Sequence, residues 1–119
     1  MKYKGYQINP SEIENVIQAI EGVEMVSVVG IPDKTGTNLI AAVIVRRPEF
    51  EEDLKEQMVI DYITDKLPNY KHLHGGVHFV DELPMTPSGK VQKRFVKAIA
   101  VREHAQKLKD LELYNSCIN

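Results

Sequence analysis

Val23-Glu24-Met25-Val26-Ser27-Val28-Val29-Gly30-Ile31, followed after a turn by Leu39-Ile40-Ala41-Ala42-Val43-Ile44-Val45, decides the fold of this 119-residue chain. The first run is rich in β-branched residues, which fit a pleated strand. The second is apolar almost without interruption, the pattern of a strand covered on both faces. Between them, Pro32-Asp33-Lys34-Thr35-Gly36 carries the residue types that bend a chain. The two runs predict an antiparallel hairpin, ended by Arg46-Arg47-Pro48.

On the N-terminal side, Lys2 to Ile8 reads as short extended structure broken by Gly5. Asn9-Pro10-Ser11-Glu12 is a helix start. Asn9 suits the cap, Pro10 the first helical position, and Glu12 the capping-box position. Ile13, Val16, Ile17 and Ile20 then fall on one stripe, and Gly22 is expected to stop the helix. On the C-terminal side, Glu51 to Leu67 carries Leu54, Met58, Tyr62 and Ile63 at helical spacing, and Pro68 ends it. The acidic run Glu49, Glu51, Glu52, Asp53 suits that helix's N-terminus. Val77 to Val80 is a third strand. Phe95, Val96 and Ile99 open a last helix that turns highly charged from Arg102; residues 102–119 are expected to form a charged helical tail, fraying from Leu111. The order β-α-β-β-α-β-loop-α predicts an α+β fold. It is a small, mostly antiparallel sheet with a short N-terminal hairpin, packed with helices.

A chain that is 43% hydrophobic and 27% charged is globular in composition and long enough for a core without staples. A net charge of −2 and no basic stripe argue against a nonspecific nucleic-acid binder. No apolar run reaches the ~20 residues of a membrane span, and no secretory signal opens the chain. The single Cys117 leaves no disulfide framework, which points to a reducing, intracellular compartment, cytoplasmic by default. The chain ends Cys117-Ile118-Asn119 rather than in a peroxisomal Ser-Lys-Leu.

The stretch most suggestive of chemistry is Pro84-Met85-Thr86-Pro87-Ser88-Gly89-Lys90. Its prolines exclude helix and central strand, and Gly89 permits a positive φ. Lys90 is thus expected at the tip of a stiffened loop, where a lysine suits a phosphate or carboxylate. The phosphate-cradling P-loop does not fit, because position 84 is Pro and position 91 is Val.

Three stretches carry a resemblance to a known family. They are Lys2 to Glu14, Val26 to Val45 with Gly30-Ile31-Pro32-Asp33, and Gly75-Gly76-Val77-His78-Phe79-Val80-Asp81-Glu82-Leu83-Pro84 running into Thr86-Pro87-Ser88-Gly89-Lys90. Spanning most of residues 2 to 100, they resemble the C-terminal domain of adenylate-forming enzymes: acyl-CoA synthetases, coumarate–CoA ligases and beetle luciferases. The Gly-Gly-Val segment is similar to the luciferase and coumarate ligase branch. Two departures are visible. The turn before the second strand lacks the family's usual acidic residue, and His74 stands where an arginine is common.

The resemblance implies an ATP-dependent acid–thiol ligase that runs two half-reactions. A carboxylate first attacks the α-phosphate of ATP; after the C-terminal domain rotates, the thiol of coenzyme A attacks the acyl-adenylate. It assigns Lys90 to adenylation, with Lys2 and Gln7 near the adenylate phosphate. Lys4, Gly5 and Tyr6 would line the pantetheine tunnel, and Gly89 would shape the loop at the nucleotide. It also implies a large N-terminal domain of the same polypeptide, binding Mg2+ and the carboxylic acid. The isolated domain is then expected to be monomeric and inactive. The alternative is a stand-alone α+β binding or regulatory module. His72, His74 and His78 do not suggest a metal site, because Gly75-Gly76 breaks any regular convergence of ligands.

Overall fold

The computed structural model describes residues 2–3, 5–34 and 36–118, the last five by backbone alone. Along the chain come β1 (Lys2–Tyr3), β2 (Tyr6–Gln7), α1 (Pro10–Gln18), β3 (Val23–Pro32), β4 (Asn38–Arg46), α2 (Glu56–Lys66), β5 (Gly76–Val80) and α3 (Lys93–Ile118). Strands β1 and β2 form a separate two-stranded hairpin, and the main sheet has the order β3-β4-β5. The expected hairpin is present: β3 and β4 run antiparallel, with Val28 opposite Ala42. β5 lies parallel to β4 on its other side, with His78 opposite Val43.

The apolar run fills the central strand and sorts by the period of two that a strand imposes. Ile40, Ala42 and Ile44 join Ile13, Ile17, Leu54, Val59 and Ile63 in one core beneath α1 and α2. Ala41, Val43 and Val45 face the other way and join Val29, Ile31, Leu83, Val96 and Ala100 under α3. This double cover explains the missing polar alternation in β4. Fully burying an isoleucine such as Ile13 or Ile17 contributes about 1.5–3 kcal/mol.

Several local expectations shift. Asn9 does cap α1, its side chain accepting from the Ser11 N–H at 3.0 Å. The Glu12 carboxylate, however, takes the Lys71 ammonium at 2.7 Å rather than closing a capping box. That hydrogen bond holds the Lys71 pKa above its ordinary value. Helix α1 ends at Gln18, four residues before Gly22. Gly22 instead adopts a φ of +97° where the Phe50 ring crosses it, 2.7 Å from where a Cβ would stand. Helix α2 starts at Glu56, after a turn through the acidic run. Its buried residues are Val59 and Ile63, and Met58 is exposed. Phe95 is likewise exposed, while its neighbour Val96 is buried. Helix α3 continues through residues 111–118. Among the described residues no helix is long and apolar enough to cross a membrane.

Candidate functional site

The stiffened loop is a tight hairpin, and Lys90 lies on its returning arm rather than at its tip. Met85 and Val91 form an antiparallel bridge. The Gln92 N–H donates to the Pro84 carbonyl at 2.9 Å, and the Gly89 N–H donates to that of Thr86 at 2.9 Å. Gly89, at φ +89°, occupies the left-handed position that lets a turn re-enter a two-stranded arm. Pro87 and Ser88 form the tip, and Lys90 starts the returning arm opposite Thr86. The Thr86 N–H donates to the Lys90 carbonyl at 2.8 Å. The Lys90 N–H donates to Thr86 Oγ1 at 3.1 Å, and that hydroxyl is also 2.9 Å from Ser88 Oγ. The Lys90 backbone is therefore held at both polar groups. Its ammonium has no ion pair or hydrogen bond among the described residues, and the residue is exposed.

The N-terminal hairpin pairs Lys2 with Gln7 and Tyr3 with Tyr6. Two tyrosines dock it: Tyr3 stacks on His74 with centroids 4.7 Å apart, and Tyr6 stacks on Tyr70 at 4.1 Å. Tyr3 is buried while Tyr6 stays half exposed. Lys2 and Gln7 are exposed. Gly5 turns the chain at φ +87°, and a Cβ there would meet nothing within 4 Å. Its backbone conformation alone already favours glycine. Lys4 lies outside the described residues, as do Thr35, Met1 and Asn119.

The sequence-based candidates thus fall on two hairpins. Lys2, Gln7, Gly5 and Tyr6 share the first, and Gly89 and Lys90 share the second. No hydrogen bond, ion pair or ring contact joins Lys90 to Lys2 or Gln7 among the described residues. In the sequence, Thr86 and Ser88 lie in the stretch that carries the family resemblance, with no role of their own assigned. The signal that could have singled out Thr86 is a hydroxyl four residues before the lysine, across a Pro-Ser-Gly turn.

The histidines have separate tasks. His72 and His74 bond through Nε2 to the carbonyls of Leu67 at 2.7 Å and Asn69 at 3.2 Å. His78 is buried, with Nε2 3.0 Å from the Gly75 carbonyl and Nδ1 without a partner among the described residues. A carbonyl only accepts, so Nε2 carries the proton. Burial first, and the Lys107 ammonium second, push the His78 pKa below its ordinary value. No three His, Cys, Asp or Glu among the described residues converge as metal ligands.

Comparisons with known proteins extend this geometry. Luciferin 4-monooxygenase of Luciola mingrelica is 35% identical over 106 residues, which is 89% of this chain and 19% of that protein. 4-Coumarate–CoA ligase-like 1 of Arabidopsis thaliana is 35% identical over 97 residues, 82% of this chain and 17% of that protein. Among solved structures, ATP-bound MatB from Rhodopseudomonas palustris superposes with a TM-score of 0.78 at 28% identity, covering 87% of this chain and 20% of that one. The chain spans about a fifth of the length of these relatives. The family model described as the AMP-binding enzyme C-terminal domain matches residues 12–90, from the capped start of α1 to the candidate lysine, and the chain belongs to that family.

Proposed function

We propose that this chain is the lid domain of an AMP-forming acid–thiol ligase, with ATP and coenzyme A as co-substrates. The observation that carries this reading is Lys90: its backbone is fixed in a hydrogen-bonded hairpin, while its side chain is exposed and its ammonium has no partner among the described residues. A cation so placed suits a phosphate, and an acidic side chain beside it would have neutralised it. In the first half-reaction a carboxylate oxygen bonds to the α-phosphorus of ATP and pyrophosphate leaves. The reactants repel one another, and Lys90 offsets the charge that builds as they meet. In the second, the thiol sulfur bonds to the acyl carbon and AMP leaves. Gly5 and Tyr6, with Lys4, would then border the thiol's path, while Lys2 and Gln7 would contact the phosphate. On this reading Mg2+, the adenine and the acyl group would be held by the large N-terminal domain that the family resemblance implies.

The test is a screen of the full-length parent with ATP, coenzyme A and a panel of carboxylic acids, following pyrophosphate and thioester together. Acid-dependent release of pyrophosphate and formation of thioester support the reading. Pyrophosphate release followed by light emission in oxygen would place the parent with its luciferase relatives instead. Saturable micromolar binding of ATP by the chain alone would favour a stand-alone binding module.

A further inference from the structure

We infer that Thr86 is a positioning residue for Lys90, acting through its side-chain hydroxyl; this rests on the assignment of Lys90 to adenylation. The local geometry gives that hydroxyl a specific backbone partner. In a regular antiparallel pair the two opposed residues exchange both backbone hydrogen bonds. Here the exchange is half complete. The Thr86 N–H reaches the Lys90 carbonyl at 2.8 Å, but the Thr86 carbonyl is taken by the Gly89 N–H at 2.9 Å. Gly89 is the extra residue of a bulge, at φ +89°, and it displaces the Lys90 N–H from its usual acceptor. Thr86 Oγ1 accepts that N–H at 3.1 Å. Ser88 Oγ lies 2.9 Å from the same oxygen and shares a hydrogen bond with it.

The consequence concerns reach. A lysine side chain has several rotatable bonds, so the placement of its ammonium depends on a fixed Cα. Pro84 and Pro87 restrict the outgoing arm and the tip. Past the bulge, the returning arm is tied back by the Met85–Val91 bridge and the Gln92–Pro84 bond, and among the described residues both backbone groups of Lys90 itself are bonded to Thr86. Small misplacement of a catalytic group costs rate steeply without weakening substrate binding. Thr86 therefore acts on the adenylation step through geometry and contributes no charge of its own.

The experiment uses the full-length parent with the acid returned by the screen and compares Thr86→Val, Thr86→Ser and Lys90→Ala. Acyl-adenylate formation is followed by ATP–pyrophosphate exchange. Thioester formation is followed separately from pre-formed adenylate. Thr86→Val is expected to lower kcat for adenylation about 10- to 30-fold, with KM for ATP and thioester formation within twofold of wild type. Thr86→Ser, which restores the acceptor, is expected to recover most of the loss. Retention of full adenylation by Thr86→Val, while Lys90→Ala loses it, would overturn the positioning role and leave the Lys90 assignment standing. If Lys90→Ala is itself without effect, the adenylation reading fails first. Amide hydrogen exchange at Lys90 then still judges the restraint: faster exchange in Thr86→Val than in Thr86→Ser supports it, and equal exchange refutes it.

Discussion

Lys93 and Lys107, on one helix, close opposite edges of the same sheet. The Lys93 ammonium donates to the Val28 carbonyl on β3 at 3.0 Å and pairs with Glu14 of α1. Glu14 also accepts the Val28 N–H at 2.8 Å, so both outward backbone groups of that edge residue are satisfied. The Lys107 ammonium donates to the Val77 carbonyl on β5 at 2.6 Å and pairs with Glu56 of α2 at 2.7 Å. Fourteen residues of α3 separate the two, about 21 Å of helix. Edge strands present unpaired backbone groups that invite other chains, and side chains that occupy them blunt that liability.

Replacing either lysine with methionine keeps the stem and removes the donor. Lys93→Met and Lys107→Met are each expected to lower stability by about 1 kcal/mol. The two edges share no partner, so the double variant should lose about the sum. Urea unfolding midpoints measure all three. A loss well beyond the sum would show that α3 leaves the sheet as one unit.

Lys90→Ala in the full-length parent is expected to slow adenylation about 10²–10³-fold, the scale for removing one transition-state donor. Thioester formation from pre-made adenylate should change far less. Single-turnover measurement of each half-reaction decides this, and equal losses in both would end the division of labour.

Gly5 separates two reasons for a glycine. Its φ of +87° strains ordinary side chains, while the space beside it is open. Asn tolerates that backbone better than β-branched residues do. Gly5→Asn should therefore keep the hairpin and add a side chain where the thiol arm is proposed to pass. Thioester formation is expected to fall at least 10-fold, an effect of about 1.4 kcal/mol in the barrier, with adenylation spared. If Gly5→Asn is neutral in both half-reactions and Gly5→Ile is impaired in both, the glycine serves the turn alone.

His78 gives the fold an acid-side dependence. Its folded pKa is depressed by burial and by Lys107, with the Gly75 hydrogen bond, Glu56 and Glu103 acting the other way. An unfolded imidazole takes its proton near pH 6.5. Below that pH the unfolded chain binds a proton that the folded chain refuses, so stability falls as pH drops. The contribution is complete above about pH 6.5 and is lost until the folded imidazole also protonates. Thermal unfolding from pH 8 to pH 5 should show this slope in wild type and a shallower one in His78→Gln. Parallel slopes would assign the acid sensitivity to other groups.

An isolated chain with only exposed charges and backbone groups to offer should bind ATP weakly. Exposed pairs contribute about 0–1 kcal/mol each, well short of the ~8 kcal/mol of micromolar affinity. Titration of ATP into labelled protein, followed by amide shifts, is expected to saturate only in the millimolar range. Micromolar saturation would reverse the expectation.

The order of elements, the antiparallel hairpin, the Asn9 cap and the apolar faces of β4 were legible in the residues, because they depend on local conformation and on a period of two. The left-handed glycine at 89 could be read for the same reason. Tertiary structure alone decided the rest. Glu12 could have closed its own helix cap, but Lys71, distant in sequence, holds its carboxylate instead. Met58 lies on a helical stripe with Ile63, yet the sheet covers only the face bearing Val59 and Ile63. Thr86 reads as an ordinary turn residue until the bulge at Gly89 removes the acceptor that Lys90 would otherwise use. Periodicity says which residues can share a face. Which face is covered, and which polar group is left needing a partner, depends on elements brought together from far along the chain.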